Sequence, residues 1–298
     1  MGRGNGSLVG QIVEILRRHG HQVTTAPTTG PRTAGGIAHS HIAAGADLVV
    51  ALGGDGTINE VAEGMVHSSV PLAILPAGTA NVLATEMRMG SDPRRAAVNL
   101  AEWLPRRISV GKVTFEDGRV SRHFLLMAGA GLDALMVYRV NTALKDRVGK
   151  LAYYAVGARS LGDSLAQVQV EIEGRTHECS FALLSKVRNY GGDFEIASSV
   201  HLSDDQFEAV LFEGRNPLRY VGYFVRLALN RLAGRKGVTT LRTCCAKLAS
   251  TSECVYVQVD GELAGRLPAE VRLVRDAITL LVPEDYWNNR PEYPVKLD

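Results

Sequence analysis

A short apolar run that leads into three glycines and then a helical pattern constrains the fold of this chain more than any other feature. The run is Asp47 to Leu52 (DLVVAL), the glycines are Gly53, Gly54 and Gly56, and the helical pattern covers Ile58 to Val66. A continuous apolar run bounded by glycines is typical of a strand buried on both faces of a sheet. Glycine lets the backbone turn sharply and approach another group closely. The segment therefore predicts a strand, a tight turn and a helix in succession.

A second unit of the same kind follows along the chain. Pro71 to Leu75 predicts another buried strand, and a helix is expected from about Ala80. Helical patterns at Leu8 to His19 and Ile37 to Ala46 come before both units. Strand, helix and strand at this spacing indicate a parallel sheet with right-handed crossovers. Both glycine turns would then lie at the carboxyl ends of their strands, where ligands bind.

The pattern changes after Pro105, where short strand candidates alternate with turn signals. These candidates are Ser109 to Phe115, Arg122 to Met127, Gln167 to Glu173, Phe181 to Leu184, Ala209 to Phe212, Cys254 to Val259 and Ala277 to Val282. A longer helical stretch, about Leu135 to Leu161, interrupts the series. The segments Phe115 to Gly118 and Glu171 to Gly174 end in Asp-Gly and Glu-Gly, which are typical of hairpin turns. This half predicts an antiparallel sandwich or meander.

The composition supports a globular protein and excludes several other classes. Of the 298 residues, 46% are hydrophobic and 21% charged, and the formal net charge is +2, which excludes a disordered chain. The sequence has neither an apolar run long enough for a spanning helix nor the apolar core of a signal peptide, and its four cysteines lack C-x-x-C spacing. We therefore expect a cytoplasmic protein with reduced thiols. The near-neutral charge and the lack of a recognisable motif argue against nucleic-acid binding.

The first glycine turn has the chemistry of a phosphate site. A helix N-terminus behind a glycine-rich turn offers free N–H groups and a partial positive charge. Asp55 beside a phosphate suggests an intervening Mg²⁺. The alternative is an ordinary turn in which Asp55 or Thr57 caps the helix. The segment is not a Walker A motif, because no G-x-x-x-x-G-K-[ST] is present.

The two glycine turns together resemble a known family. VVALGGDGTINEVAEGM, followed by LAILPAGTANVLA, is similar to the catalytic domain of the diacylglycerol kinase family in its bacterial lipid kinase branch. Four later segments also resemble that family: FLLMAGAGLD (124–133), YGGDFEIA (190–197), HLSDDQF (201–207) and VQVDGE (257–262). The resemblance covers nearly the whole chain. It implies a kinase of phospholipid biosynthesis that transfers the γ-phosphate of ATP to a hydroxyl of diacylglycerol or a related lipid.

The resemblance also implies roles for particular residues. Glu262 would be the general base, and Asp55 and Asp133 would belong to the catalytic Mg²⁺ network. A structural Mg²⁺ would be held by the Asp205 carboxylate with the backbone carbonyls of Leu202 and Phe207. The residues expected to bind ATP are Thr28, Gly53, Gly54, Asp55, Gly56, Thr57, Ile58, Asn59 and Thr79. Read without the family, the Asp-Gly-Glu segment at 260–262 is simply a hairpin turn, and Asp133 equally suits a helix cap.

The implied fold has two domains, with the active site in the cleft between them. Residues 1–105 would form a three-layer, parallel-sheet nucleotide-binding α/β domain, with part of 283–298 packing back on it. Residues 106–282 would form a β-sandwich domain for the lipid substrate. Oligomerisation is compatible with such a sandwich and is not required by anything in the sequence.

One charged segment suggests a contact with the membrane surface. Residues 214–252 contain no Asp or Glu but eight Arg and Lys residues, and Leu218 to Leu232 mixes arginine with aromatic and aliphatic side chains. Such a segment suits transient contact with an anionic inner membrane surface. The alternative is a core helix whose arginines extend to water.

Two departures from the family pattern keep other functions open. Members usually begin with a strand that ends in Asn-Pro-x-Ser-Gly, whereas this sequence starts at Met1-Gly-Arg-Gly, as if cut inside that loop. Val82 stands where an Asp of the metal network is common. A catalytically silent protein that binds nucleotide or lipid is therefore one alternative. An NAD kinase, which shares GGDGT and two domains, is another.

Overall fold

The computed structural model describes residues 3–115, 118–132, 134–135, 165–191, 194–228, 236–251 and 254–290. Its helices are α1 (Arg3–Arg18), α2 (Ala34–Ala43), α3 (Asp55–Met65), α4 (Val82–Glu86), α5 (Pro93–Asn99), α6 (Pro217–Ala228) and α7 (Glu284–Asn288). Its strands are β1 (Val49–Gly53), β2 (Pro71–Pro76), β3 (Leu104–Phe115), β4 (Val120–Phe124), β5 (Met127–Gly131), β6 (Val168–Ile172), β7 (Arg175–Cys179), β8 (Phe181–Ser185), β9 (Asn189–Tyr190), β10 (Phe194–Glu195), β11 (Phe207–Phe212), β12 (Val238–Thr243), β13 (Cys245–Ala249), β14 (Tyr256–Val259), β15 (Glu262–Arg266) and β16 (Ala269–Val282).

The chain divides into two compact units. Unit 1 comprises residues 1–108 and 276–290, and unit 2 comprises residues 109–275 and 291–298. The chain therefore leaves unit 1 within β3 and returns to it within β16. The predicted helical stretch at 135–161 lies almost entirely outside the described residues.

Unit 1 is the predicted α/β layer structure with a parallel sheet. β1 pairs in parallel with β2, with Ala51 opposite Ile74 and Gly53 opposite Pro76. The end of β16 adds a further parallel strand, with Thr279 opposite Pro71. Helices α1 and α5 cover Ala73, Leu75 and Leu281 of the sheet in one apolar cluster. Leu72 and Ile74, which alternate with these residues on β2, are also fully buried, so both sheet faces are covered.

One expectation about unit 1 is wrong in detail. The run at 47–52 predicts a strand buried on both faces, but in β1 only Ala51 is fully buried and its neighbours are half-buried. β1 is less buried because it stands at the end of the strand order of this sheet, beside β2. The β2 prediction is confirmed, since five of its six residues are buried.

Unit 2 is an antiparallel β-sandwich, as the strand candidates predict. One sheet has the order β12-β11-β8-β5-β14-β15. In the other, β13 pairs with the start of β16 and with β6, β6 pairs with β7, and β3 pairs with β4. Apolar side chains from both sheets form one core, which includes the stacked rings of Phe124 and Phe207 at 5.6 Å between centroids.

In unit 2, two predicted turns lie between paired antiparallel strands, and one predicted strand is divided into two. β6 and β7 form a hairpin across Glu173 and Gly174, with φ of 50° and 75°, as the Glu-Gly pair predicts. β3 and β4 are likewise antiparallel neighbours on either side of the Asp-Gly pair. The predicted strand at 122–127 is wrong as a single element, because β4 ends at Phe124 and β5 begins at Met127.

Candidate functional site

The first glycine turn has a backbone that a larger residue could not follow. Gly53 ends β1, Gly54 is the residue before α3, and Gly56 and Thr57 lie in the first turn of that helix. A Cβ atom on Gly53 would lie 2.8 Å from the Cβ of Thr57, which is too close for a real contact. The turn therefore leads into a helix N-terminus whose first N–H groups have no partner within the helix, and its glycines add no side chains there.

The two glycine turns touch each other through their backbones. A Cβ on Gly78 would lie 2.5 Å from the Cα of Gly54, and the N–H of Ala77 donates to the carbonyl of Gly53 at 2.9 Å. The parallel register of β1 and β2 explains why the turns meet, since Gly53 is opposite Pro76. The expected convergence of both turns at one sheet edge is confirmed.

Asn81 closes the second turn. Its side-chain Oδ1 accepts from the N–H of Gly78 at 2.8 Å, and its Nδ2 donates to the carbonyl of the same glycine at 3.0 Å. Asn81 adopts a left-handed conformation with φ of 48°, which asparagine tolerates better than most residues. The loop is thus held by its own side chain just before α4 begins.

Asp55 caps a helix, but not the helix that it begins. Its carboxylate accepts from the N–H groups of Val82 and Leu83 at 3.1 and 3.3 Å, at the start of α4. The alternative reading of the sequence, in which Asp55 caps the helix that follows it, is therefore wrong about the helix. The residue before α3 is Gly54, and Asp55 caps α4 instead. Burial raises the pKa of the Asp55 carboxyl, and the backbone hydrogen bonds from Val82 and Leu83 oppose that shift.

The remaining ATP candidates of unit 1 lie in different environments. Thr28 and Thr79 are exposed on loops, and the side chains of Ile58 and Asn59 are buried in α3. The N–H of Ile58 donates to the carbonyl of Gly54 at 3.0 Å and so begins the helix hydrogen bonding. The side chains of Ile58 and Asn59 are therefore not offered at the surface, and the N–H groups of α3 that have no partner within the helix precede residue 58.

Glu60 is a residue that the sequence analysis missed. Its carboxylate accepts from the N–H groups of Arg32 and Ala34 at 2.8 and 3.2 Å, which fixes the loop before α2. Close contact of the two helices supports this link, since a Cβ on Gly35 would lie 2.6 Å from the Glu60 carbonyl. The only signal in the sequence is that Glu60 follows the GGDGTIN segment directly on α3.

In unit 2, the Asp-Gly-Glu segment is a rigid hairpin turn between β14 and β15. Asp260 and Gly261 have φ of 47° and 81°, as a two-residue hairpin requires. The Asp260 carboxylate accepts three backbone N–H groups, from Leu125, Leu126 and Met127, at 2.9, 3.0 and 2.8 Å. Leu125 and Leu126 form the break between β4 and β5, so these hydrogen bonds fix both the break and the hairpin turn.

Glu262 follows this turn as the first residue of β15. Its side chain is 46% exposed and pairs with the guanidinium of Arg122, which is 14% exposed, at 3.2 Å. Nothing in the sequence points to Arg122, which lies 140 positions away on β4. The pair places a carboxylate that solvent can reach beside a mostly buried positive charge.

The segment that contains the three metal candidates is organised by other groups. Leu202 and Phe207 are fully buried, and Asp205 is exposed with its Oδ1 accepting from the hydroxyl of Ser109. The ammonium group of buried Lys186 donates to the carbonyl of Asp204. Burial lowers the pKa of Lys186 to about 8, although the nearby charges of Asp204 and Asp205 raise it.

Asp133 lies outside the described residues. Among those residues, no group of three or more His, Cys, Asp or Glu side chains could hold a metal ion. None of the helices in the described residues is long and apolar enough to cross a membrane.

Helix α6 lies in the basic 214–252 segment, and one of its faces is buried. Tyr220, Tyr223 and Leu227 are buried, and the Tyr220 hydroxyl donates to the carbonyl of Phe212 at 2.7 Å. Arg219 and Arg226 are exposed. The alternative of a core helix whose arginines extend to water therefore describes this face of α6 correctly.

The part of the chain that contains the paired glycine turns and the part that forms most of the antiparallel sandwich each match the model of a known family. The diacylglycerol kinase catalytic domain matches residues 2–113, and the YegS C-terminal NAD kinase beta sandwich-like domain matches residues 127–282. The chain belongs to the diacylglycerol kinase catalytic-domain family, in its bacterial branch, and is a lipid kinase.

Individual relatives agree with this assignment. The chain is 29% identical over 289 residues to a diacylglycerol kinase of Bacillus subtilis (strain 168), covering 92% of this chain and 90% of the relative. It is 26% identical to a diacylglycerol kinase of Staphylococcus carnosus (strain TM300), covering 81% and 78%. A crystal structure of a diacylglycerol kinase from Bacillus anthracis (strain Sterne) shares the fold, with a TM-score of 0.74 and 20% identity, over 94% of this chain and 92% of that one.

Proposed function

We propose that this lipid kinase transfers the γ-phosphate of ATP, in a reaction that requires Mg²⁺, to a hydroxyl of diacylglycerol or a related lipid, as a step of phospholipid biosynthesis. The observation that carries the proposal is the backbone contact between the two glycine turns at Gly54 and Gly78. The glycines add no side chains beside the first N–H groups of α3, which have no partner within the helix, and this arrangement suits a triphosphate. The names of the relatives support the class of lipid.

The nucleotide would be held mainly by the backbone of residues 53–59. Phosphoryl transfer needs the donor positioned more than it needs covalent chemistry from the protein. Thr79 and Thr28, whose side chains are exposed, would add hydroxyl contacts. The Glu60 carboxylate fixes the backbone at residues 32 and 34, which follow Thr28 along the same loop.

Asp55 is the residue of unit 1 that would hold Mg²⁺, through water. The N–H groups of Val82 and Leu83 bind different oxygens of the Asp55 carboxylate, so a contact with Mg²⁺ through water would be added to these bonds, and oxygen is the ligand atom that Mg²⁺ prefers. When bound, Mg²⁺ neutralises charge on the phosphates. Asp55 also holds the start of α4, so its carboxylate would have both a structural and a chemical role.

Glu262 would accept the proton of the lipid hydroxyl. A general base must be reachable by its substrate, and the 46% exposure of this side chain meets that condition. The Asp260 turn fixes the backbone of Glu262, and Arg122 fixes the direction of its carboxylate at 3.2 Å. Both supports reduce the entropy lost when the hydroxyl and the base are aligned.

We also propose transient contact between the basic 214–252 segment and an anionic membrane surface. The exposed arginines of α6 support it, because cations near lipid headgroups contribute roughly 1 kcal/mol each. The contact would present the enzyme to a substrate that resides in the membrane.

The test is ATP consumption with a panel of lipids in mixed micelles, comparing wild type with Glu262→Gln. We expect turnover with a neutral diacyl lipid, and a kcat lower by about 10²–10⁴-fold in the variant because a general base is lost. Glu178→Gln, at an exposed position on β7, is the matched control and should keep wild-type turnover. A Glu262→Gln enzyme with wild-type kcat would exclude this residue as the base.

The same assay separates the NAD kinase alternative, which the name of the sandwich family keeps relevant. NAD replaces the lipid in one arm. Phosphorylation of NAD without lipid turnover would overturn the proposed substrate class while leaving the kinase assignment in place.

A further inference from the structure

A buried lysine reaches the loop that the family resemblance assigns to a structural metal. Lys186 follows β8 directly, and its side chain is fully buried. Its Nζ donates to the backbone carbonyl of Asp204, which lies between Leu202 and Phe207 in the chain. A long cationic side chain is very seldom buried without an anionic or carbonyl partner that requires it.

The carboxylates of this loop already have partners. The Asp204 Oδ2 atom pairs with Arg242 at 2.7 Å and accepts from the N–H of His201 at 3.0 Å. Arg242 also donates to the carbonyl of Ser199. The loop therefore has two protein cations, Lys186 and Arg242, beside its acidic residues.

The proposed metal ligand Asp205 is also engaged. Its Oδ1 accepts from the hydroxyl of Ser109, and its backbone carbonyl accepts from the Cys244 thiol at 3.3 Å. Mg²⁺ demands near-octahedral oxygen coordination and Ca²⁺ takes six to eight oxygen ligands. One engaged carboxylate and two carbonyls beside a buried ammonium are a poor donor set for either ion. The residues present do not fit a structural divalent metal.

We propose that the ammonium group of Lys186 is the resident cation of the 201–207 loop and takes the place of a structural Mg²⁺. The loop leads straight into β11, a strand in the middle of one sheet of unit 2, so its cation helps to hold the sandwich together. Divalent metal would then serve this chain only with the phosphoryl donor. The inference concerns unit 2 alone and is independent of which lipid is phosphorylated.

The first test is metal dependence of the wild-type chain, which requires no variant. Bound metal is measured by plasma mass spectrometry on protein purified without a chelator, and protein then dialysed against EDTA, without nucleotide, is melted with and without millimolar Mg²⁺. We expect substoichiometric metal and the same melting temperature in both buffers. A rise in melting temperature with Mg²⁺ that disappears in Asp205→Ala would overturn the proposal. A rise in melting temperature that Asp205→Ala leaves unchanged would come from Mg²⁺ bound elsewhere in the chain, and it would agree with the proposal.

The second test removes the ammonium and keeps most of the side-chain volume. Lys186→Met should lower the melting temperature by roughly 3–10 °C, because the Asp204 carbonyl loses its buried partner. Lys247→Met is the control, since Lys247 is exposed and pairs at 3.5 Å with exposed Glu171, and it should change the melting temperature by about 1 °C or less. A Lys186→Met protein as stable as wild type would show that the loop does not depend on this cation. If Lys186→Met does not fold, the metal measurements on the wild-type chain still decide the question.

Discussion

Acidic side chains in this kinase bind backbone N–H groups at three of its turns. Asp55 holds the start of α4, Glu60 holds the loop before α2, and Asp260 holds the break between β4 and β5. A carboxylate that accepts several N–H groups is a strong local constraint, because charged acceptors form stronger hydrogen bonds than neutral ones. Substitution of these residues therefore changes geometry as well as charge.

Asp260→Asn tests this constraint at a single residue. An amide keeps one of the two carboxylate oxygens, so part of the three-donor arrangement is lost and we expect a decrease of about 1–3 kcal/mol in the free energy of unfolding. Because the same turn positions Glu262, turnover should fall too. Denaturant unfolding and the lipid kinase assay measure the two effects.

The matched control for that substitution is Asp276→Asn. Asp276 is exposed and has φ of 46°, close to the 47° of Asp260, so the cost of the left-handed backbone is the same in both variants. We expect Asp276→Asn to be neutral within about 0.5 kcal/mol. Equal destabilisation by both substitutions would mean that the three N–H bonds contribute nothing.

Cysteine reactivity provides a second test at the residue scale. Burial raises the pKa of the Cys179 thiol to about 12, so its thiolate is scarce up to pH 9, whereas Cys245 and Cys254 are exposed. Since the thiolate is the nucleophile, native alkylation at pH 8 to 9 should modify Cys245 and Cys254 and spare Cys179 until the chain is unfolded. Mass spectrometry of the peptides checks this, and rapid native labelling of Cys179 would contradict its burial.

At the scale of elements, the two glycine turns form one unit because their backbones touch. Gly78→Ala would place a Cβ 2.5 Å from the Cα of Gly54, so one turn must move. We expect a loss of about 1–3 kcal/mol in stability, as for other overpacked positions, together with weaker ATP binding. Calorimetric melting and nucleotide titration measure the two effects.

Gly36→Ala is the control for this effect. Gly36 lies within α2, and a Cβ there meets nothing within 4 Å. Alanine should stabilise the helix by about 0.5–1 kcal/mol, because glycine has more backbone freedom to lose. A Gly78→Ala protein that gained stability like Gly36→Ala would show that the turns can separate at no cost.

The elements that the sequence predicts best are those with a continuous apolar run. β2 is an example, since every residue from Leu72 to Pro76 is buried and nothing polar obscures the pattern. β13 was missed because its five residues, CAKLA, alternate between exposed and buried and contain a lysine. A strand with one exposed face has a weak local signal, and only its pairing with β6 and β16 reveals it.

The residues of the candidate site also differ in how well the sequence predicts them. The glycines at 53, 54 and 78 are visible in the sequence, because local backbone geometry requires them. The partners of Asp55 and Asp260 are not visible, since their bonds join residues 27 and 135 positions apart. The chemical type of a residue can be identified from its neighbours in the chain, but its hydrogen-bond partners depend on the tertiary fold.

At the scale of the whole molecule, charge distribution matters more than total charge. The formal net charge is only +2, yet residues 214–252 lack acidic side chains. Binding to vesicles that contain anionic lipid should therefore weaken with salt, because the Debye length shortens to about 3 Å at 1 M ionic strength. Cosedimentation with vesicles measures this dependence.

A pair of double variants shows which region makes the membrane contact. Arg215→Glu with Arg226→Glu should reduce vesicle binding by at least about tenfold, given roughly 1 kcal/mol per cation. Arg17→Glu with Arg18→Glu changes the net charge equally, at exposed positions of α1, and should bind like wild type. Equal losses in both would indicate a response to net charge alone rather than a basic surface at 214–252.

Strand β16 is synthesised long after β2, the strand with which its end pairs. Unit 1 completes its parallel sheet with the end of β16, where Thr279 pairs with Pro71 although the two are separated by most of the chain. A ribosome that adds about 5–20 residues per second needs on the order of 10–40 s to make the intervening segment. During that interval β2 lacks its inner neighbour, so a nascent chain depends on chaperones or on rapid docking of its last strand to avoid pairing with another copy.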